Sequence, residues 1–225
     1  MGFMEYLQMI NIIYEDNHLL VVEKKVNIPV QQDSSNDPDL LNILKDYIKQ
    51  KYKKTGNVYL GLVHRLDRPV GGIMVFAKTS KAAERLSEQI RNHTFQKEYH
   101  AIVMGNVKEH EILKDKLLKD PKNNIVTVSP NGKESELEYT KIKSKNNMSL
   151  VKINLKTGRS HQIRVQFSSR NHPLYGDQKY NKQSKPKEQI ALFASKISFI
   201  HPTTKEQLNF ELELPTKYPW NIMSE

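Results

Sequence analysis

Gly61-Leu-Val-His-Arg-Leu-Asp-Arg-Pro-Val-Gly-Gly-Ile-Met-Val-Phe-Ala-Lys78 is the stretch around which the fold can be read. An apolar β-type run from Val58 to Val63 leads into the polar His64-Arg65-Leu66-Asp67-Arg68. The chain then turns through Pro69 and the Gly71-Gly72 pair and resumes as a second β-type run, Ile73 to Ala77. Such runs read as strands that hold a short loop at a sheet edge, where functional side chains concentrate. Asp67 stands in that loop between Arg65 and Arg68, and neighbouring positive charge favours its carboxylate form. A carboxylate held ionised is a usable nucleophile or base. A turn Asp steadied by two arginines for structural reasons has the same pattern.

On the N-terminal side, residues 10–14 and 19–23 are short β-type runs joined by Glu15-Asp16-Asn17-His18, which predicts a hairpin. Asp37-Pro38 reads as an N-cap followed by Pro at the first helical position. Leu40, Leu41, Leu44, Tyr47 and Ile48 then recur at helical spacing to about Tyr52, with Gly56 as the stop. On the C-terminal side, Thr79 or Ser80 caps a helix in which Ala83, Leu86 and Ile90 share a face. Lys97 to Val103 is a strand carrying Tyr99, an aromatic suited to core packing or to stacking on a base.

Residues 106–148 are charged and yield no candidate site residue; most such charge runs are solvated faces. Asp120-Pro121 is a break, Asn131-Gly132 a tight turn, and Ile125–Val128 and Ser135–Lys143 are expected strands. Leu150 to Leu155 alternates as a strand ending at Lys156-Thr157-Gly158. The segment from Arg159 to Phe167 fits strand and helix periods alike. Ile190 to Pro202 and Leu208 to Leu214 are strand-like, and Trp220 is placed to cap the core. His161, His172 and Asp177 match no zinc spacing, so no metal is expected.

The chain has 225 residues, enough for one substantial core, and a formal charge of +10. An excess of that size points to a polyanionic partner, most simply nucleic acid. Of the seven arginines, Arg65, Arg68, Arg159, Arg164 and Arg170 fall in two short segments, and the guanidinium fork suits carboxylate and phosphate. Without Cys there are no disulfides or thiolate metal sites. No apolar run reaches the roughly 18 residues of a membrane span. Met1 to Ile10 contains Glu5 and Gln8 and lacks a basic n-region, so no signal peptide is expected, and Tyr6 argues against myristoylation at Gly2. A cytoplasmic monomer is the expectation.

His64-Arg-Leu-Asp67 followed by Arg68-Pro-Val-Gly-Gly72 and Phe76-Ala-Lys-Thr79 resembles the central motif of the RluA-type pseudouridine synthases. Three further motifs fall in the family's order. Tyr14-Glu-Asp-Asn-His-Leu-Leu-Val-Val-Glu-Lys24 resembles the start of its catalytic domain, with Lys24-Lys25-Val26-Asn27 where Lys-Pro-x-Gly is common. Lys97-Glu-Tyr-His-Ala-Ile-Val103 resembles its second motif. Thr157-Gly-Arg-Ser-His-Gln-Ile-Arg164 with Gly176-Asp177 resembles its third, with Gln166 where a His is common.

The resemblance implies an α+β fold, a long mixed and mostly antiparallel sheet with peripheral helices, formed as a single catalytic domain over residues 1–225 without a preceding S4-type domain. It also implies a helix after Gly158, which Ser160 would cap. The implied activity is isomerisation of uridine to pseudouridine in ribosomal or transfer RNA, with no cofactor. By the same resemblance Asp67 is the catalytic carboxylate, Tyr99 lies against the target base, Arg164 is the partner of Asp67, and Leu192 walls the uracil pocket. His64, Arg65, Arg159, His161 and Gln162 are its substrate-binding candidates. A non-catalytic RNA-binding protein and a nucleoside hydrolase are the competing classes.

Overall fold

The computed structural model describes residues 10–224. The N-terminal reading of Met1 to Ile10 lies almost wholly outside them. The described residues divide into two compact units, one of residues 10–95 with 196–212, the other of residues 96–195 with 213–224.

In the first unit the expected hairpin forms from β1 (Asn11–Glu15) and β2 (Leu19–Lys24). The Asp16 carboxylate closes its turn by accepting from the backbone N–H groups of His18 and Leu19, each at 2.7 Å. Helix α1 spans Leu40–Lys51 and buries Leu40, Ile43, Leu44, Tyr47 and Ile48. Its cap is Asp39, not Asp37: extended backbone at Asp39 lets its carboxylate accept from Asn42 N–H at 3.1 Å, while Asp37 pairs with Arg68.

The run Val58–Val63 shrinks to the two-residue β3 (Gly61–Leu62), and the second run starts earlier than expected, as β4 (Gly71–Ala77). All seven residues of β4 are buried, the pattern of a strand covered on both faces. It pairs antiparallel with β2 from Leu19↔Ala77 to Lys24↔Gly72, and with β3. Thr79 caps α2 (Ser80–Arg91), which lays Ala82 and Leu86 on the core formed by Leu19, Val21, Ile73, Val75, Phe95 and Phe199. Burying a side chain such as Leu86 contributes about 1.5–3 kcal/mol. Strand β10 (Leu192–Ile200) follows in chain order far later and pairs antiparallel with β11 (Gln207–Glu211), which stops short of the expected Leu214.

The second unit is a meander. Strand β5 (Gln96–Met104) pairs with β9 (Met148–Leu155), β9 with β8 (Lys133–Lys145), β8 with β6 (His110–Asp120), and β6 with the edge strand β7 (Ile125–Val128), all antiparallel. Strand β6 was not expected. Its outward positions include Lys114 and Lys116, paired with Glu136 and Glu134 of β8, and only Leu113 and Leu117 are buried apolar residues on the inward face. A helix, α3 (Gln162–Ser168), follows Gly158 as the resemblance implied. Ser160 does not cap it. His161 takes the cap position in the left-handed region (φ 50°) without a side-chain cap bond. A short α4 (Asn221–Ser224) ends the described chain beside the buried Trp220.

The α+β class, with mostly antiparallel strands and helices at their margins, is what the strands and helices above make. No helix among the described residues is long and apolar enough to cross a membrane.

Gly176 turns the chain immediately before Asp177 with φ of +69°, and a Cβ there would sit 2.2 Å from the Gln189 carbonyl oxygen. Gly176→Ala should therefore destabilise the protein by more than about 1 kcal/mol. A chemical-denaturation midpoint equal to wild type would show that this turn relaxes freely.

Candidate active site

Asp67 is half-buried in a loop that closes on itself, its carbonyl accepting from Val70 N–H at 2.9 Å. The loop is anchored by Leu66 and Val70, both buried, and by Lys24 from below. Lys24 has no exposed surface, and its ammonium donates to the carbonyls of Val70 (2.8 Å), Arg68 (2.9 Å) and Lys25 (3.1 Å). Its register opposite Gly72 aims it there. Burial pulls the Lys24 pKa down to about 7, with the Asp67 charge acting the other way and Arg68 adding to the fall.

The two arginines beside Asp67 in the sequence reach other partners. Arg68 bonds to Asp37, Asp33, Ser35 and the Asn27 carbonyl, which ties the loop to the approach to α1. Arg65 is exposed and reaches Gln31 at 3.4 Å. His64 is the acceptor for Val75 N–H through Nε2 at 3.1 Å, so that ring nitrogen carries no proton, and the ring lies 5.5 Å from Phe95. These contacts hold the loop against β4.

In the second unit Tyr99 is buried on β5, opposite Ile153 of β9. Leu192, at the start of β10, is buried as well, beside Ala191, whose carbonyl accepts from Ile102 N–H. Arg164 is buried on α3. Its Nε donates to Asp177 Oδ2 at 2.8 Å and its Nη2 to Oδ1 at 2.6 Å, a two-pronged pair, and the Tyr180 ring lies 5.1 Å from the guanidinium carbon. The Asp177 carboxylate also accepts from Lys179 and Tyr180 N–H.

The remaining motif residues of this unit are bound into the fold. Gln162 is buried, accepts from Thr157 Oγ1 and Arg159 N–H, and donates to Glu136 and Gln166. Gln166, with no exposed surface, donates to the Leu113 carbonyl and to Asp115, which locks α3 onto β6. His161 meets the Tyr180 hydroxyl at 2.6 Å through Nδ1, and exposed Arg159 donates to the Glu134 carbonyl. His161, His172 and Asp177 have different partners: Tyr180, the Met104 carbonyl and Arg164.

The profile of the RNA pseudouridylate synthases matches residues 18–169, about two thirds of the chain. The chain belongs to that family. A ribosomal large subunit pseudouridine synthase D of Zymomonas mobilis is 33% identical over 92% of this chain and 69% of its own length. A ribosomal large subunit pseudouridine synthase C of Vibrio cholerae is 35% identical over 90% of this chain and 65% of its own. An uncharacterised RNA pseudouridine synthase of Aquifex aeolicus is also 35% identical, over 93% of this chain and 71% of its own. This chain is thus shorter than each of the three. Among solved structures, the human RNA pseudouridylate synthase domain-containing protein 4 shares the fold, with a TM-score of 0.79 at 21% identity over 99% of this chain and 93% of that one. Membership carries the reaction class with it, an isomerase acting on RNA.

Two residues that sequence reading did not assign a role stand behind the candidates. Lys24 had a signal: it is in phase with Leu20 and Val22 on β2, so its side chain follows theirs inward. Asp177 had only its place after Gly176 in a quoted motif. Nothing local shows that its carboxylate meets an arginine thirteen residues earlier.

The Lys24 ammonium titrates near 10.5 in an ordinary setting and near 7 in the fold, so between these values the unfolded chain holds a proton that the folded chain has shed. Folding therefore gains stability as pH rises through that window. Lys24→Met, which cannot titrate, should lack this gain, and the margin by which wild type exceeds it in urea denaturation should widen from pH 7 to pH 10. A constant margin would place the Lys24 pKa at its ordinary value. Asp177→Asn leaves a buried guanidinium without its counter-charge and should cost about 3–5 kcal/mol. A denaturation midpoint that does not move would mean the pair contributes little to holding Arg164.

Proposed function

We propose that the substrate is large-subunit ribosomal RNA and that Asp67, Tyr99 and Arg164 are the catalytic residues. The relatives named for the ribosomal large subunit, at 33–36% identity over about nine tenths of this chain, carry the choice of RNA. The charge of +10 supports a partner rich in phosphate. In the reaction the bond from the ribose C1′ to uracil N1 breaks, a bond from C1′ to C5 forms, the hydrogen on C5 leaves as a proton, and N1 takes up a proton. No oxidant and no net water are consumed.

Asp67 is the nucleophile or base at the extruded nucleotide. What supports it is its loop: half-exposed, yet pinned by Lys24 at the carbonyls of Arg68 and Val70, so that little ordering is left to be done when substrate arrives. Tyr99 supplies a ring for the uracil, and Leu192 an apolar wall. Arg164 is the cation that keeps the reacting carboxylate ionised, and its buried bond to Asp177 supports that role by fixing the guanidinium plane. His64, Arg65, Arg159 and His161 shape the surface on which the RNA rests, while the buried Gln162 supports it from behind by accepting from Arg159 N–H. The whole chain acts as one catalytic domain, as a monomer in a reducing cytoplasm, which agrees with the lack of Cys.

Asp67→Asn tests the reading. It is nearly isosteric, so folding and RNA affinity should change little, while tritium release from transcripts labelled at uridine C5 should vanish. Wild type should release tritium without freeing uracil. Free uracil would make the protein a hydrolase, and binding without release a passive RNA-binding protein. Continued release by the Asn variant, with deamidation excluded, would sink the assignment of Asp67.

A further inference from the structure

We propose that the Lys97 ammonium receives the backbone phosphate of the nucleotide whose base lies on Tyr99, an inference that rests on the reading of RNA as substrate and of Tyr99 as the base platform. Lys97 is the second residue of β5, and side chains on a strand alternate, so Lys97 and Tyr99 project from the same face. Two strand positions separate them, roughly 6.6 Å along the chain. That is the scale on which a base stands off from its own phosphate.

Most acid-facing cations in this unit are already committed. Arg164 has Asp177, Arg170 has Asp115, Lys141 has Glu109 and Lys114 has Glu136. Lys97 makes no hydrogen bond or ion pair among the described residues. It is nevertheless half-buried, and burial alone lowers its pKa. A lysine that loses hydration without gaining a counter-charge costs the fold stability, and no ion pair among the described residues offsets that cost.

The chain also makes room for it. Gly158, between β9 and α3, passes so close that a Cβ there would lie 3.1 Å from Lys97 Nζ. A larger residue would crowd the ammonium, and glycine leaves a side open beside it. An ammonium is a compact point charge that needs no fixed approach direction, which suits a phosphodiester oxygen better than the neutral, directional carbonyls of uracil. When phosphate arrives, the unpaired charge acquires its partner and the desolvation already incurred favours binding.

The test uses the full-length protein and an unmodified transcript of large-subunit ribosomal RNA, with affinity measured across a salt series for wild type, Lys97→Met and Lys97→Gln. Loss of one phosphate contact should make the plot of log affinity against log salt shallower by about 0.7–0.9 and weaken low-salt binding on the order of tenfold. Both variants should unfold at or above the wild-type temperature, because they remove an unpaired buried charge. A residue with a purely structural role would show the opposite, a lowered melting temperature, and that result would overturn the proposal. So would weaker binding with an unchanged salt slope, or wild-type binding by both variants. If wild type itself neither binds the transcript in a salt-dependent way nor releases tritium from it, the choice of substrate fails as well. Normal wild-type behaviour with indifferent variants removes Lys97 alone.

Discussion

A single ammonium group, Lys24 Nζ, ties two carbonyls of the Asp67 loop, those of Arg68 and Val70, to that of Lys25 just after β2, where the loop has no secondary structure of its own to hold it. Buried carbonyls without donors cost about 1–3 kcal/mol each, so the Asp67 loop in this form depends on Lys24 being where it is. Its position follows from the register of β2 on β4, where Lys24 stands opposite Gly72. All seven residues of β4 are buried, so this pairing sets the ammonium inside a strand covered on both faces. The loop is therefore held by the core, through one charged side chain.

The second unit solves a similar problem with a different pair. Arg164 and Asp177 are both buried and meet through two parallel hydrogen bonds, which fix the guanidinium in plane as well as in place. Around them Gln162 and Gln166 close a fully bonded network linking α3 to β6 and to the β8–β9 end. A helix of seven residues has little stability of its own, and this network with the buried Ile163, Val165 and Phe167 is what makes it form. Its N-cap is His161 in the left-handed region, and the Gln162 side-chain oxygen accepts from Thr157 and Arg159 just ahead of it.

Much of this was legible in the residues. The hairpin at Asp16, the Thr79 cap, the strand through Tyr99 and the Asn131-Gly132 turn are local in origin and appear where the sequence places them. The misses are also physical. Asp37-Pro38 has the form of a helix start, yet the distant Arg68 takes the Asp37 carboxylate and the helix begins two residues later. Strand β6 hides because its lysines pair with glutamates of β8 while Ile112 and Leu118 stand on the exposed side, so no clean apolar alternation marks it.

By itself, then, the sequence determined the class of fold and the order of its motifs and put Asp67 forward as the candidate carboxylate, because these rest on periodicity, turn chemistry and a distinctive run of residues. Tertiary structure alone decided which charges meet. Lys24 lies forty-four residues from Arg68, and Arg164 lies thirteen from Asp177. Interactions over such separations are set by strand register and by burial, which strengthen with the exclusion of water and leave no trace in local composition.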